Sequence, residues 1–333
     1  MRQYTIAGHT IQLSGEGLDS LPGFDYFKTV SMVNDCHPAM VNNCHPALDA
    51  GSPEKPLLTI LGLRVKPAMT EDKNGLQVKS AMTEDDYPAM TEEWTIPPVF
   101  ASTYEETTYD LSTREDACLF RMKKPDGSRL WAEIRNENTA FQAIISRTGI
   151  FNDDSIRYIC WLLFGVAALS RQTVSIHSSA VMHQGKSVLF LGESGTGKST
   201  HTRLWLNHFP ETKLLNDDSP FIRIEADGNI SAYGSPWSGK TSCYKNIHTP
   251  VAAFVRLSQA PCNRIRRLTG IEAIGALLPS CPFAFAYDKG LSEQIYSILS
   301  RILQQLPVYH LECLPDAGAA RLVLDTLKQD NRL

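Results

Sequence analysis

The stretch "KSVLFLGESGTGKSTHTRLWLNHF", residues 186–209, constrains the fold more than any other part of the chain. Its centre, "GESGTGKS" at 192–199, satisfies the Walker A spacing G-x-x-x-x-G-K-[ST]. The run before it, "KSVLFL", reads as a buried strand, and the run from Ser199 has the apolar spacing of a helix at Leu204, Leu206 and Phe209. In a strand, glycine turn and helix of this kind, successive backbone N–H groups can turn inward around a phosphate, and the positive end of the helix points at it. Lys198 can then reach the β- and γ-phosphates, and the Ser199 hydroxyl a Mg²⁺ ion. The stretch predicts a nucleotide site made by Gly192, Glu193, Ser194, Gly195, Thr196, Gly197, Lys198, Ser199 and Thr200, with ATP and Mg²⁺ as cofactors. The G-x-G-x-x-G fingerprint of dinucleotide folds and the G-x-S-x-G elbow of hydrolases are both absent from the sequence.

A Mg²⁺-nucleotide site also needs a carboxylate at the end of a neighbouring strand. "TKLLNDDSPFIRI" at 212–224 offers one, because the apolar Leu214-Leu215 leads into Asn216, Asp217 and Asp218. Paired acids directly after a buried strand are costly unless they face a cation or share a proton. Ser219-Pro220 also allows a plain Asp-Asp turn, but the position, one helix and one loop beyond Ser199, favours a functional pair.

The remaining composition narrows the class. Hydrophobic residues make up 43% and charged residues 20%, ordinary for a globular chain. A formal net charge of −4 gives no reason to expect nucleic acid or an anionic membrane as partner. "MRQYTIAGHT" lacks the apolar run of a signal peptide. The most apolar segment, "YICWLLFGVAAL" at 158–169, is shorter than the ~20 residues of a spanning helix and reads as a buried one. The eight cysteines show no C-x-x-C spacing, and several lie in apolar runs, which predicts reduced thiols and a cytoplasmic location.

The chain divides into unequal parts. Residues 1–32 and 94–152 are β-rich, with "QYTIAGHTIQLS" at 3–14 and "CLFRMKKPDGSRLWAEIR" at 118–135 reading as hairpins. Between them, "CHPAM" at 36–40 recurs as "CHPAL" at 44–48, and "PAMTED" at 67–72 returns as "SAMTED" and "PAMTEE". Such short, irregular repeats, rich in Pro and charged residues and with little to bury apart from "LLTILGLRV" at 57–65, predict a repeat-derived insertion at 33–93 that is disordered or loosely attached. Cys36, His37, Cys44 and His45 are zinc-ligand types, but a duplicated pentapeptide accounts for both pairs. From 153 to 333 an apolar helix is followed by alternating strand and helix signals, the pattern of an α/β layer arrangement.

"HSSAVMHQGKSVLFLGESGTGKST" followed by "LLNDD" resembles the HPr kinase/phosphorylase family and its relatives, which include small peptide-modifying serine kinases and, more distantly, the ATP-dependent phosphoenolpyruvate carboxykinases. The resemblance covers about 171–240. It implies a P-loop kinase core of the HPr kinase/carboxykinase type in an α/β fold, with the β-rich N-terminal portion beside it. It further implies that Lys198 holds phosphate, that Ser199 and Asp218 hold Mg²⁺, that Asp217 takes the proton of an attacking hydroxyl, and that His177 stands near that base. Two features depart from the family: Thr200 replaces the usual Glu after the Walker Ser, and the C-terminal Gly-rich signature is missing, with "YGSPWSGKTS" at 233–242 in its place.

The expected function is therefore ATP-dependent transfer of phosphate to a hydroxyl on a small protein, peptide or small-molecule acceptor, with homo-oligomer formation left open. The alternatives are a nucleotide-binding regulator or assembly factor without turnover and, more remotely, a carboxykinase-like enzyme. "SGKTS" at 238–242 reads first as a turn, and Gly234, Pro236, Trp237 and Lys240 are candidates for a lid or substrate wall beside the γ-phosphate. Arg264, Arg266 and Arg267 read first as a solvated strand face and second as a source of phosphoryl-stabilising charge. His201 and His208 read as surface or packing residues, and "VAAFVRLSQ" at 251–259 as core.

Overall fold

The computed structural model describes residues 2–15, 18, 21–29, 56–65, 96–138, 140–239 and 242–333, with side chains 61–65 excluded. Two sheets and five helices make up a mixed α/β structure.

The first sheet contains β1 (Arg2–Ile6), β2 (His9–Ser14), β3 (Leu58–Val65), β4 (Phe100–Tyr104), β5 (Thr107–Thr113), β6 (Ala117–Lys123), β7 (Arg129–Glu137) and β8 (Ala140–Thr148), in the order β1-β2-β3-β8-β7-β6-β5-β4. The β1–β2 hairpin turns on Ala7 and Gly8, at φ 51° and 72°. Both positive values match the twist of a two-residue hairpin. At the Pro-Asp-Gly turn Asp126 accepts the N–H of Ser128 at 2.8 Å, and Gly127 takes φ 84°. One sequence expectation is corrected here. Residues 58–65 fall inside the segment assigned to a disordered insertion, yet β3 pairs in parallel with both β2 and β8 and joins the two β-rich pieces into one sheet. The apolar "LLTILGLRV" supplies the reason, since Leu58 and Ile60 are buried. The repeats at 36–48 and 67–93, and the zinc-ligand types within them, lie outside the described residues.

α1 (Asp153–Leu169) follows. Asn152 caps it by accepting the N–H of Ser155 at 3.0 Å, and Asp153 and Asp154 complement its dipole. It is apolar on nearly every side from Ile159 onward, and it is buried between the first sheet and the rest. Among the described residues no helix is long and apolar enough to cross a membrane.

The second sheet holds β9 (Thr173–Ser175), β10 (Ser178–His183), β11 (Lys186–Leu191), β12 (Lys213–Asp218), β13 (Phe221–Ile224), β14 (Ile230–Tyr233), β15 (His248–Gln259), β16 (Arg264–Leu268) and β17 (Val308–Cys313). Its path runs β12-β10-β11-β15-β14-β13-β9, with β17 paired to both β15 and β16. β11, β15 and β17 are mutually parallel, and the other pairs are antiparallel. α2 (Lys198–His208) carries the chain from the end of β11 past β10 to β12. Its buried face is His201, Thr202 and Trp205, with Phe209 just beyond, while Leu204 and Leu206 are half-buried. α3 (Gly270–Leu277), α4 (Lys289–Gln305) and α5 (Ala317–Gln329) complete the fold. One continuous apolar core takes in both sheets, including Tyr4, Phe24, Phe120, Phe164, Phe221 and Phe285. A smaller core gathers Phe190, Trp205, Phe209 and Val323 under α2 and α5. The described cysteines are free thiols, and burial pushes those of Cys118, Cys160 and Cys281 up to about 12.

Candidate functional site

The loop at 192–197 connects the end of β11 to the start of α2. Three glycines allow its path: Gly192 at φ 151°, Gly195 at 82° and Gly197 at 103°, the last capping α2 in the left-handed region. A Cβ on Gly195 or Gly197 would meet nothing within 4 Å, so the space over their backbone at the helix N-terminus is open. A Cβ on Gly192 would lie 2.4 Å from the Thr196 hydroxyl, which itself donates to the Glu193 carbonyl at 2.8 Å. The Lys198 ammonium bends back over this loop and donates to the Gly192 and Glu193 carbonyls at 2.6 and 3.2 Å. Burial holds its pKa below that of an ordinary lysine, with Asp218 and Asp217 acting in the opposite sense.

The acid pair reaches the loop through strand register. β12 lies beside β10, with Asp217 opposite Ser179 and Asp218 opposite Ser178. Neighbouring residues on a strand point to opposite faces. Asp217 therefore turns toward α2, where its Oδ1 accepts the hydroxyls of Ser179 at 2.7 Å and Ser199 at 3.2 Å. Because Ser179 gives its proton to Asp217, the Thr202 hydroxyl must donate to Ser179, at 2.7 Å. Asp218 turns the other way, its Oδ1 lying 3.3 Å from Nδ1 of His177 and its Oδ2 accepting the Ser219 hydroxyl at 2.8 Å. Burial raises the Asp218 pKa, but hydrogen bonds from His177 and Ser219 together with the charges of His177 and Lys198 outweigh it and leave the carboxyl below the usual range. His177 itself is fixed through its N–H, which donates to the Ser280 carbonyl at 2.6 Å.

Lys198, Ser199, Asp217, Asp218 and His177 are thus brought together, and their hydrogen-bond partners differ from the arrangement the resemblance implies. Ser199 meets Asp217 and not Asp218, and His177 meets Asp218 and not Asp217. Glu193 reaches outward to Arg256, at 3.5 Å. Thr200 faces Arg203, whose guanidinium donates to its hydroxyl at 3.3 Å. Ser194 is exposed at the tip of the turn. The described part of "YGSPWSGKTS" reaches the pair at Gly239, where a Cβ would come within 2.9 Å of the Asp217 carbonyl. Lys240 lies outside the described residues. Arg264, Arg266 and Arg267 stay on edge strand β16, three strands from β11, where Arg266 forks onto Glu272 at 2.9 and 3.0 Å. His201 is buried against Phe190 and accepts the Trp205 indole N–H at 3.3 Å, and His208 is exposed.

Four neighbours of the site were not singled out from sequence: Ser179, Asn216, Arg256 and Gln259. Arg256 and Gln259 lie on β15 beside the loop, and Gln259 donates to the Gly195 carbonyl at 3.1 Å. A charged residue inside the apolar run "VAAFVRLSQ" was the readable signal for Arg256, because an arginine in a buried strand needs a partner.

No protein-family model matches the chain, and no curated protein matches it by sequence. Among solved structures it is similar to the one described as "Structure of the Hpr(Ser) kinase/phosphatase from Coxiella burnetii", with 12% identity over 47% of this chain and 90% of that one, at a TM-score of 0.27. A superposition that loose leaves the functional assignment to the chain's own residues.

Proposed function

We propose that the chain is an ATP-dependent phosphotransferase acting on a hydroxyl of a small protein, peptide or metabolite. The observation that carries this reading is the acid pair beside the glycine loop: Asp217 accepts the Ser199 hydroxyl on one face of β12, and Asp218, held by His177 on the other, lies within electrostatic reach of Lys198. The open backbone at Gly195 and Gly197, beneath the α2 N-terminus, suits a triphosphate. Lys198 would exchange its loop carbonyls for phosphate oxygens. Mg²⁺ selects hard oxygen donors and keeps several waters, and the Ser199 hydroxyl and Asp217 carboxylate fit that preference. Those two residues would hold the ion, which supplies charge neutralisation at the phosphates.

Asp218 is then the group left to receive the proton. Its lowered pKa keeps it ionised near neutrality, and His177 orients it from behind. In the transfer an acceptor O–H gives its proton to Asp218 while its oxygen forms the new P–O bond. The bond from the γ-phosphorus to the β–γ bridging oxygen breaks, and ADP leaves with that electron pair. The roles of the two acids are thereby exchanged relative to those implied by the family resemblance.

Isothermal calorimetry with Mg-ATP tests the nucleotide half. Wild-type protein should bind, and Lys198→Ala should weaken binding by roughly 10- to 100-fold, the value of one charge-assisted hydrogen bond. Absence of heat with the wild type would end the proposal. Transfer of label from [γ-³²P]ATP to candidate acceptors tests the second half: Asp218→Asn should abolish labelling while Mg-ATP binding persists.

A further inference from the structure

One buried amide sets the end of β12. Asn216 is fully buried, immediately before the acid pair. Its Oδ1 accepts the backbone N–H of Asp218 at 3.0 Å and of Ser219 at 2.8 Å, so the turn that carries Asp218 closes on this side chain. Its Nδ2 points the other way, donating to the Trp237 carbonyl at 3.1 Å with the Ser235 hydroxyl and carbonyl at 3.3 and 3.4 Å. An asparagine has two N–H donors and one carbonyl oxygen, and here each is used, on two different segments. The second segment is the loop whose Gly239 passes over the Asp217 carbonyl.

The amide thus links the loop to β12. Ser235 adds a second link, its hydroxyl donating to the Ser219 carbonyl at 2.7 Å. On its outer side Trp237 is packed between Phe24, Phe164 and Phe221, and its indole N–H donates to the Arg157 carbonyl at 2.8 Å. On its inner side Ser219, once held by Asn216, gives its hydroxyl to Asp218 Oδ2 and leaves Oδ1 to His177.

We infer that Asn216 is a positioning residue, whose amide fixes the Asp218–Ser219 turn and ties it to the 234–239 loop so that Asp218 meets His177 and the loop walls the acid pair. The inference rests on the phosphotransferase reading for what the pair does, and on the hydrogen bonds alone for how the pair is held. An aspartate at 216 would set a negative charge against three acceptors, and an alanine would leave two backbone N–H groups and the loop carbonyls without their partner.

The imidazole of His177 reports on this directly. In wild-type protein, ¹⁵N–¹H spectra of the histidine rings, assigned with His177→Gln, should show His177 with its proton on Nδ1, donated to Asp218. In Asn216→Ala that signature should move toward the averaged tautomers of a free ring. The Kd for Mg-ATP should meanwhile stay within about twofold, since Asp217 keeps Ser179 and Ser199. Turnover of ATP should fall by roughly tenfold or more, the loss expected when a reacting group is misplaced. Ser235→Ala removes the second link and one of the acceptors of Asn216 Nδ2, leaves the two backbone N–H bonds of Asn216 Oδ1 in place, and should move the His177 signal in the same direction by less. It decides the matter if Asn216→Ala does not fold. An unchanged His177 signature in the folded variants, or equal losses in Mg-ATP binding and turnover, overturns the inference. Failure of the wild type to bind Mg-ATP overturns the nucleotide reading instead, while the imidazole spectra still decide the role of Asn216.

Discussion

The imidazole of His201 is buried, only 3% exposed. It sits between Phe190 and the indole of Trp205, and burial lowers its pKa to about 4. His9, buried where the β1–β2 hairpin meets Thr173, is lowered to about 3, again mainly by burial and then by Arg223 and Arg171. In both cases the folded state binds the proton less readily than the unfolded chain. Stability is therefore complete above the unfolded value near 6.5 and declines as pH falls from there toward the folded value. For His201 the loss between pH 7 and pH 5 is about 2 kcal/mol. His201→Gln keeps an acceptor for the Trp205 N–H and cannot be protonated, so its denaturant midpoint should vary less over that interval than that of the wild type. Equal acid sensitivity in the two proteins would mean that His201 is already charged in the fold.

At the scale of elements, the loop after β11 owes its form to contacts within itself. Gly192→Ala would force an L side chain to φ 151° and press its Cβ against the Thr196 hydroxyl, 2.4 Å away. Strain of this kind is about 1–3 kcal/mol, which should weaken Mg-ATP binding by roughly tenfold or more. Adding Thr196→Ala removes the nearest atom and should restore part of the affinity, whereas no recovery would locate the fault elsewhere. Such local features were legible in the sequence: the strand, the three glycines, Lys198 and Ser199 form one continuous stretch with fixed spacing. The hairpins at Gly8 and Gly127 were legible for the same reason. Features set by pairing between distant strands were not. Which of Asp217 and Asp218 faces Ser199 depends on the register of β12 against β10, and a one-residue slip would exchange them. Arg256 comes to the loop only because β15 lies beside β11, with Arg256 opposite Leu191. The strand at 58–65 looked like part of an insertion because the repeats around it dominate the composition, and its partners β2 and β8 are remote in sequence.

Among the described residues the two sheets share an apolar core, which predicts that they unfold together. Phe24, just after the first hairpin, meets the Trp237 ring edge-on at 5.4 Å, and Trp237 stacks on Phe164 of α1 at 5.7 Å. Gly23 allows this approach, since a Cβ there would lie 2.7 Å from the Tyr244 ring and 2.8 Å from the Pro236 carbonyl. The N-terminal segment thus packs directly on the loop that walls the acid pair. Denaturation followed by Trp fluorescence and by far-UV circular dichroism should accordingly give coincident transitions. In a double-mutant cycle, Phe24→Leu and Trp237→Leu should each destabilise that single transition and couple by about 0.5–1.5 kcal/mol, the value of an edge-to-face aromatic pair. Two separate transitions, with Phe24→Leu moving only the first, would instead make the β-rich portion an independent domain. In that case the wall beside Asp217 and Asp218 would have to stand without it.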